Sequence, residues 1–244
     1  MQTNILENIA IVLVEPLTGG NIGSVARAMT NMGLSDLRIV HPQADPYGDE
    51  AHMLAHGSHE LLHQSKVYDT IKESIADCSL ILGTSHKPIR YNHPSYTVRE
   101  IGPKILPYCQ SNKVAILFGR ENHGLSNEEI NLCTWLVHIP TARPYPALNL
   151  AQAVIVTCYE LFMAIEQPIV EQIPNKLATF EEIDKYLLNL QSILSKAGFK
   201  HKNDNPELFL GILRRLLTKR SLEEHELRAL YKLSDQFRMI VERT

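Results

Sequence analysis

The stretch KVAILFGRENHGLSNEE, Lys113–Glu129, holds the pattern on which the fold turns. An unbroken apolar run, Val114–Phe118, reads as a strand covered on both faces. Gly119–Gly124 then supply loop-forming residues, and a capped helix follows. The same order recurs along the first two-thirds of the chain. Strands are expected at Ala10–Glu15, Leu37–Pro42, Lys66–Asp69, Ser79–Ser85, Lys113–Gly119 and Trp135–Pro140. Helical patterns fall between or after them at 21–33, 49–56, 70–77, 97–109, 127–133 and 149–166. Strand–helix alternation of this kind predicts an α/β fold built on a parallel sheet.

Beyond residue 166 the pattern changes. Residues 167–178 contain two prolines and no periodicity, and read as a linker between a domain at 1–166 and a helical unit at 179–244. Thr179 and Glu182 lay out a capping box for the first helix of that unit. A second helix is expected over 206–218. The last begins at a second box, Ser221 with Glu224, and carries an apolar stripe of Leu227, Leu230, Leu233, Phe237 and Ile240. That stripe suits packing on its own domain and a homodimer seam equally.

Composition narrows the class. The chain has 244 residues, 44% hydrophobic and 21% charged, with a net charge of −3, so it is an ordinary globular chain without a global basic field. Any nucleic-acid contact has to come from a local patch. Cys78, Cys109, Cys133 and Cys158 form no CxxC pair and read as reduced, mostly buried thiols of a cytoplasmic protein. No stretch resembles a signal peptide or approaches the length of a membrane span.

Two motifs invite stronger readings. TGGNIGSVARAM, Thr18–Met29, has Gly19, Gly20 and Gly23 where a nucleotide cradle begins, but fits neither G-x-G-x-x-G nor the P-loop. Asn21 is placed as an N-cap, and Ile22, Val25, Ala26 and Met29 form one apolar stripe. Arg27, five positions after Ile22, lies roughly 140° around the wheel and points away from the sheet. On spacing alone it is a solvated arginine. HELLH, His59–His63, matches the zincin pattern, with His52 and His56 on the same face. Gly57 and Ser58 interrupt the helix just before it, and a strand starts three residues after it. No third ligand follows in the metzincin manner. No metal is therefore assigned, and a zinc hydrolase using His59, Glu60 and His63 stands as the alternative.

The remaining signal is a set of loops after strands. LGTS (Leu82–Ser85), FGRENHGLSNEE (Phe118–Glu129) and IPTARPYPALNLAQAV (Ile139–Val154) are rich in small and loop-forming residues. Loops at the carboxyl edge of a parallel sheet are where such folds bind ligands.

Together with GNIGSVARAM these loops resemble, in order, the motifs of the SPOUT-class (SpoU/TrmH-like) RNA 2′-O-methyltransferases. The resemblance runs from about residue 8 to 166, and the helical tail is similar to that of the TrmJ type. It implies a SPOUT α/β domain with a C-terminal trefoil knot, a rare exception to unknotted connections, followed by a small all-helical extension. It implies S-adenosylmethionine at Thr84, Ser85, His86, Gly119, Ile139, Pro146, Ala147, Leu148 and Asn149. The catalytic arginine is then Arg27, with Asn21 and Glu15 beside it. The resemblance further implies a tRNA substrate, at cytidine and/or uridine 32 of the anticodon loop, and a homodimer; no membrane or metal partner is expected. A guanidinium stays protonated in proteins, so Arg27 is read as holding a phosphate and stabilising the developing alkoxide. RNA contacts are expected from Arg27, Lys87, Arg90 and Arg120, and from the tail at Lys200, His201, Lys202, Arg214, Arg215, Lys219 and Arg220, a cluster that a solvated helix face explains as well. Ala147 departs from the family, which carries serine there, and Pro146 stands where a small polar residue is common. That departure keeps open a non-catalytic RNA-binding homologue.

Overall fold

The computed structural model describes residues 5–85, 93–142, 147–166, 175–199, 206–218 and 221–242. Its elements are β1 Ile9–Val14, α1 Gly19–Asn31, β2 Asp36–Val40, α2 Asp49–Ala55, α3 His59–Gln64, β3 Lys66–Tyr68, α4 Ile71–Ser74, β4 Leu80–Thr84, β5 Ser95–Thr97, α5 Val98–Cys109, β6 Val114–Phe118, α6 Asn127–Ile130, β7 Trp135–His138, α7 Leu150–Ile165, α8 Phe180–Lys196, α9 Pro206–Thr218 and α10 Glu224–Val241. The strands form one parallel sheet in the order β3-β2-β1-β6-β4-β7-β5. Each expected strand is present. The short polar edge strand β5, Ser95-Tyr96-Thr97, carries no apolar run and was not expected.

The central strands feed two cores by simple alternation. Ile9, Ile11 and Leu13 of β1, with Val114, Ile116 and Phe118 of β6, face the layer that contains α1, α2, α5 and α7. Ala10, Val12 and Val14, with Ala115 and Leu117, face the opposite layer. Both sides are buried, which is why these strands read as continuous apolar runs rather than alternating ones. All four cysteines are free and buried, and burial pushes the Cys109, Cys133 and Cys158 thiols up to about 12. Among the described residues no helix is long and apolar enough to cross a membrane.

The helical unit is fastened to the sheet domain from its first residue. Phe180 packs in the second core, and its amide donates to the Cys78 carbonyl at 2.8 Å. Asn112 Oδ1 accepts from the Leu177 amide at 2.9 Å. The Thr179–Glu182 capping box forms as expected. The Ser221–Glu224 box does not. Ser221 takes a left-handed φ of +50°, and Glu223 with Glu226 makes the box instead. Leu227 and Leu230 of the α10 stripe pack into the helical core, whereas Leu233, Phe237 and Ile240 stay exposed.

One expectation for α1 is corrected. Thr18, not Asn21, is the N-cap, and Asn21 lies in the first turn with its amide donating to Thr18 Oγ1. The glycines of α1 face α2. A Cβ at Gly23 would sit 2.1 Å from the Ala51 carbonyl oxygen, so the two helix backbones touch where any side chain would separate them. Gly23→Ala is expected to lower stability by about 2 kcal/mol, the usual scale for overpacking. Urea denaturation measures this; an unchanged midpoint contradicts the close packing of α1 on α2.

Candidate active site

Parallel pairing brings the carboxyl ends of β1, β6, β4 and β7 to one edge. A cleft of about 230 Å³ opens there. Its walls come from three connections: Thr84 and Ser85 after β4, the segment from Phe118 to Leu125 after β6, and Ile139, Ala147 and Leu148 after β7. Of the expected cofactor positions, Thr84, Ser85, Gly119, Ile139, Ala147 and Leu148 line this one cleft. His86 and Pro146 lie outside the described residues, as do Lys87, Arg90, Lys200, His201, Lys202, Lys219 and Arg220. The floor is apolar, with Phe118, Leu125, Ile130 and Val137, and the rim carries Asn122, Asn127 and the Thr84–Ser85 backbone. Thr84 Oγ1 donates to the Leu117 carbonyl at 2.9 Å, and the Ser85 amide donates to the Val137 carbonyl at 2.9 Å.

The β6 loop is the tightest part of the wall. The Gly124 amide donates to the Arg120 carbonyl at 2.8 Å, and a Cβ on Gly119 would lie 2.2 Å from the Gly124 carbonyl carbon. Glycine at 119 therefore lets the loop fold back on itself.

A polar chain links this loop to two helices. Glu121 accepts from the Leu17 amide at 3.1 and 3.2 Å and from Asn21 Nδ2 at 2.7 Å. Asn149 Nδ2 donates to Asn21 Oδ1 at 3.0 Å. Asn149 is itself the N-cap of α7, accepting from the Ala151 and Gln152 amides. Three chain segments far apart in sequence are thus held by Asn21, Glu121 and Asn149. Asn21 can do this because Thr18 has taken over capping. Glu121 was not singled out from the sequence, where an acidic residue in a glycine-containing loop reads as solvated.

Glu15 and Arg120 take places other than those expected. Both oxygens of Glu15 accept from Arg120, which also pairs with Glu129 at 2.9 Å. The hydrogen-bonded guanidinium holds the Glu15 carboxyl below the usual carboxylate range, against its partial desolvation. Glu15 does not line the cleft and serves in this structure as a partner for Arg120. Arg120 in turn is no free cation for RNA, because two carboxylates neutralise it.

Arg27 is exposed on α1, on the side away from the core, as the helical wheel requires. It does not line the cleft. In the tail, Arg214 is buried, ion-paired to Asp184, with its guanidinium 5.1 Å from the Phe180 ring centroid. Its expected RNA contact is therefore corrected to an interior pair. Arg215 is half-buried beside it. In HELLH, α3 spans only His59–Gln64, His59 Nε2 bonds the His52 carbonyl at 3.0 Å, and Glu60 accepts from Gln64. The His52 ring packs against both His59 and His63. Among the described residues no group of three or more His, Cys, Asp or Glu side chains is placed to hold a metal ion.

The SpoU rRNA Methylase family matches residues 8–159, the span that builds this edge of the sheet. The chain belongs to that family. It is 38% identical over 232 residues to the tRNA (cytidine/uridine-2′-O-)-methyltransferase TrmJ of Escherichia coli (strain K12), covering 92% of this chain and 93% of that protein. The crystal structure of TrmJ from Z. mobilis ZM4 superimposes with a TM-score of 0.80 at 33% identity, covering 93% of this chain and 97% of that one. An AdoMet-bound rRNA methyltransferase from Sinorhizobium meliloti aligns with a TM-score of 0.50 at 25% identity over 63% of this chain and 55% of that one. The fold is accordingly the SPOUT α/β fold with a helical C-terminal extension. The knot expected of SpoU family members involves connections that include residues 86–92 and 143–146, which lie outside the described residues.

Arg214→Met should destabilise the helical unit by about 2 kcal/mol, since it strips Asp184 of its main partner inside the protein. Lys72, 3.6 Å from Asp184, softens the loss. Chemical denaturation followed by circular dichroism measures it; a wild-type midpoint returns Arg214 to the surface.

Proposed function

We propose that this protein is a cytoplasmic S-adenosylmethionine-dependent tRNA 2′-O-methyltransferase acting on the ribose of cytidine or uridine 32 in the anticodon loop. The observation that carries the reading is the convergence of the β4, β6 and β7 connections on one cleft, tied to the arginine-bearing helix α1 through Asn21, Glu121 and Asn149. The tRNA methyltransferase names of the relatives and the AdoMet-bound neighbour support it.

The lining suits the cofactor. Phe118, Leu125 and Ile130 offer an apolar surface to a purine, and the loop backbone around Thr84, Gly119 and Leu148 offers donors and acceptors for its polar edges and for an amino-acid tail. When bound, S-adenosylmethionine supplies an electrophilic methyl group on a sulfonium sulfur. Ala147 lines the cleft where the family carries serine, so cofactor contacts there fall to the backbone.

Arg27 provides the substrate side. A guanidinium is a donor-only group, so no role as a base is assigned to it. It can hold a neighbouring phosphate through its two-pronged donor set and stabilise negative charge growing on the 2′ oxygen. Holding hydroxyl and methyl carbon in line then accounts for much of the remaining rate.

A homodimer completes the arrangement. Arg27 stands outside its own chain's cleft, and the α7 helix packed against α1 exposes Tyr159, Phe162, Met163 and Ile165. A second copy seated on that apolar face brings the two α1 helices and clefts toward one seam.

Incubation with methyl-labelled S-adenosylmethionine and bulk tRNA tests the reading, with mass spectrometry to locate the product. Label is expected as 2′-O-methylcytidine or 2′-O-methyluridine at position 32. Cofactor binding without transfer would instead identify a non-catalytic homologue. Arg27→Ala should lower kcat about a hundredfold or more and leave cofactor affinity within about twofold. A matching loss of cofactor affinity would put Arg27 on the cofactor side.

A further inference from the structure

Arg120 lines the cleft, and its guanidinium is bound by two carboxylates whose residues do not. Its backbone closes the β6 loop on Gly124. Its side chain reaches two carboxylates on two different elements. Nε donates to Glu15 at 2.8 Å, Nη1 to Glu129 at 3.0 Å, and Nη2 to both. Glu15 follows β1 directly, at a left-handed φ of +47°, with its amide donating to the Val40 carbonyl at 2.8 Å. Glu129 lies in α6 and also accepts from the Ser126 amide at 2.7 Å. Neither glutamate lines the cleft. Both are anchored to the framework, and Arg120 is what they hold.

We propose that Arg120 is a positioning residue for the cofactor, fixing the Gly119–Leu125 wall in the shape that receives S-adenosylmethionine through its double pairing with Glu15 and Glu129. The proposal rests on the functional reading above. An arginine that meets RNA needs donors to spare for phosphate, and here Nε, Nη1 and Nη2 are all engaged within the protein. The arrangement also needs arginine. A guanidinium presents two donor edges at once, and an ammonium is a single point charge that cannot span both carboxylates. Without the guanidinium, Glu15 and Glu129 face each other as like charges and push the loop ends apart.

Steady-state kinetics with tRNA and S-adenosylmethionine, calorimetric binding of S-adenosylmethionine, and thermal melting test this on Arg120→Met, Arg120→Lys and Glu15→Gln. Arg120→Met and Glu15→Gln should raise both KM and Kd for S-adenosylmethionine about tenfold, with KM for tRNA within about twofold. Arg120→Lys should fall between them and wild type. Glu15→Gln is the telling case, because Glu15 does not itself line the cleft and reaches it only through Arg120. Should Arg120→Met fail to fold, the triple variant Glu15→Gln, Arg120→Met, Glu129→Gln removes the facing charges; it should fold and still bind S-adenosylmethionine weakly. A rise in KM for tRNA alone would make Arg120 an RNA contact and overturn the proposal. Lower melting temperatures with both KM values unchanged would reduce it to a stabilising pair and overturn it equally. If wild type itself fails to bind S-adenosylmethionine, the functional reading fails first, whatever the variants do.

Discussion

A parallel sheet delivers all its carboxyl strand ends to one edge, and the loops that leave them crowd together there. Their polar groups must find partners among one another, because an unpaired one shielded from water costs about 1–3 kcal/mol. In this chain the consecutive residues Arg120 and Glu121 meet most of that demand in opposite directions. Glu121 reaches the start of α1 through Leu17 and Asn21. Arg120 reaches the end of β1 and the start of α6 through Glu15 and Glu129. The β6 loop is held on both flanks. The start of α7 is tied in through Asn149. The cleft walls and the helix that carries Arg27 are therefore parts of one hydrogen-bonded frame.

That frame explains how charges divide between structure and chemistry. Glu15, Arg120 and Glu129 sum to one negative charge and form a closed set, and Asp184 pairs with both Arg214 and Lys72. Arg27 is exposed and has no ion-pair partner among the described residues. A cation already neutralised by carboxylates gains little from a phosphate, since the exchange breaks one charged hydrogen bond to make another. Arg27, uncommitted among the described residues, is able to bind a substrate anion.

What was legible in the sequence follows from which forces act locally. Six of the seven strands were expected, and several of them, β1 and β6 above all, were announced by continuous apolar runs, because a strand buried on both faces has no polar alternative. β5 was missed because Ser95–Thr97 is a strand only by virtue of pairing with β7. The cleft was legible as three loops of similar make-up. Its internal wiring was not. Thr18 and Asn21 are both good N-caps, and the choice between them is made by Glu121, a hundred positions away. Arg120 and Arg214 each read as a surface cation because their partners, Glu15 and Asp184, are distant in sequence.

The glycines of GGNIGSVARAM show the same division most sharply. Their spacing excludes a nucleotide cradle, but spacing cannot say what approaches them. What approaches is α2, whose Ala51 carbonyl lies where a Gly23 side chain would be. With α2 against one flank and Ile22, Val25, Ala26 and Met29 wholly buried in the core, α1 has no room to tilt. Arg27 is flexible along its own stem, but the Cα from which it projects is fixed relative to the cleft walls. Placing a charged group on a rigid base reduces the entropy lost when it engages the transition state. The glycines thus bear on catalysis without touching a ligand, by allowing the packing that immobilises the helix on which the arginine stands.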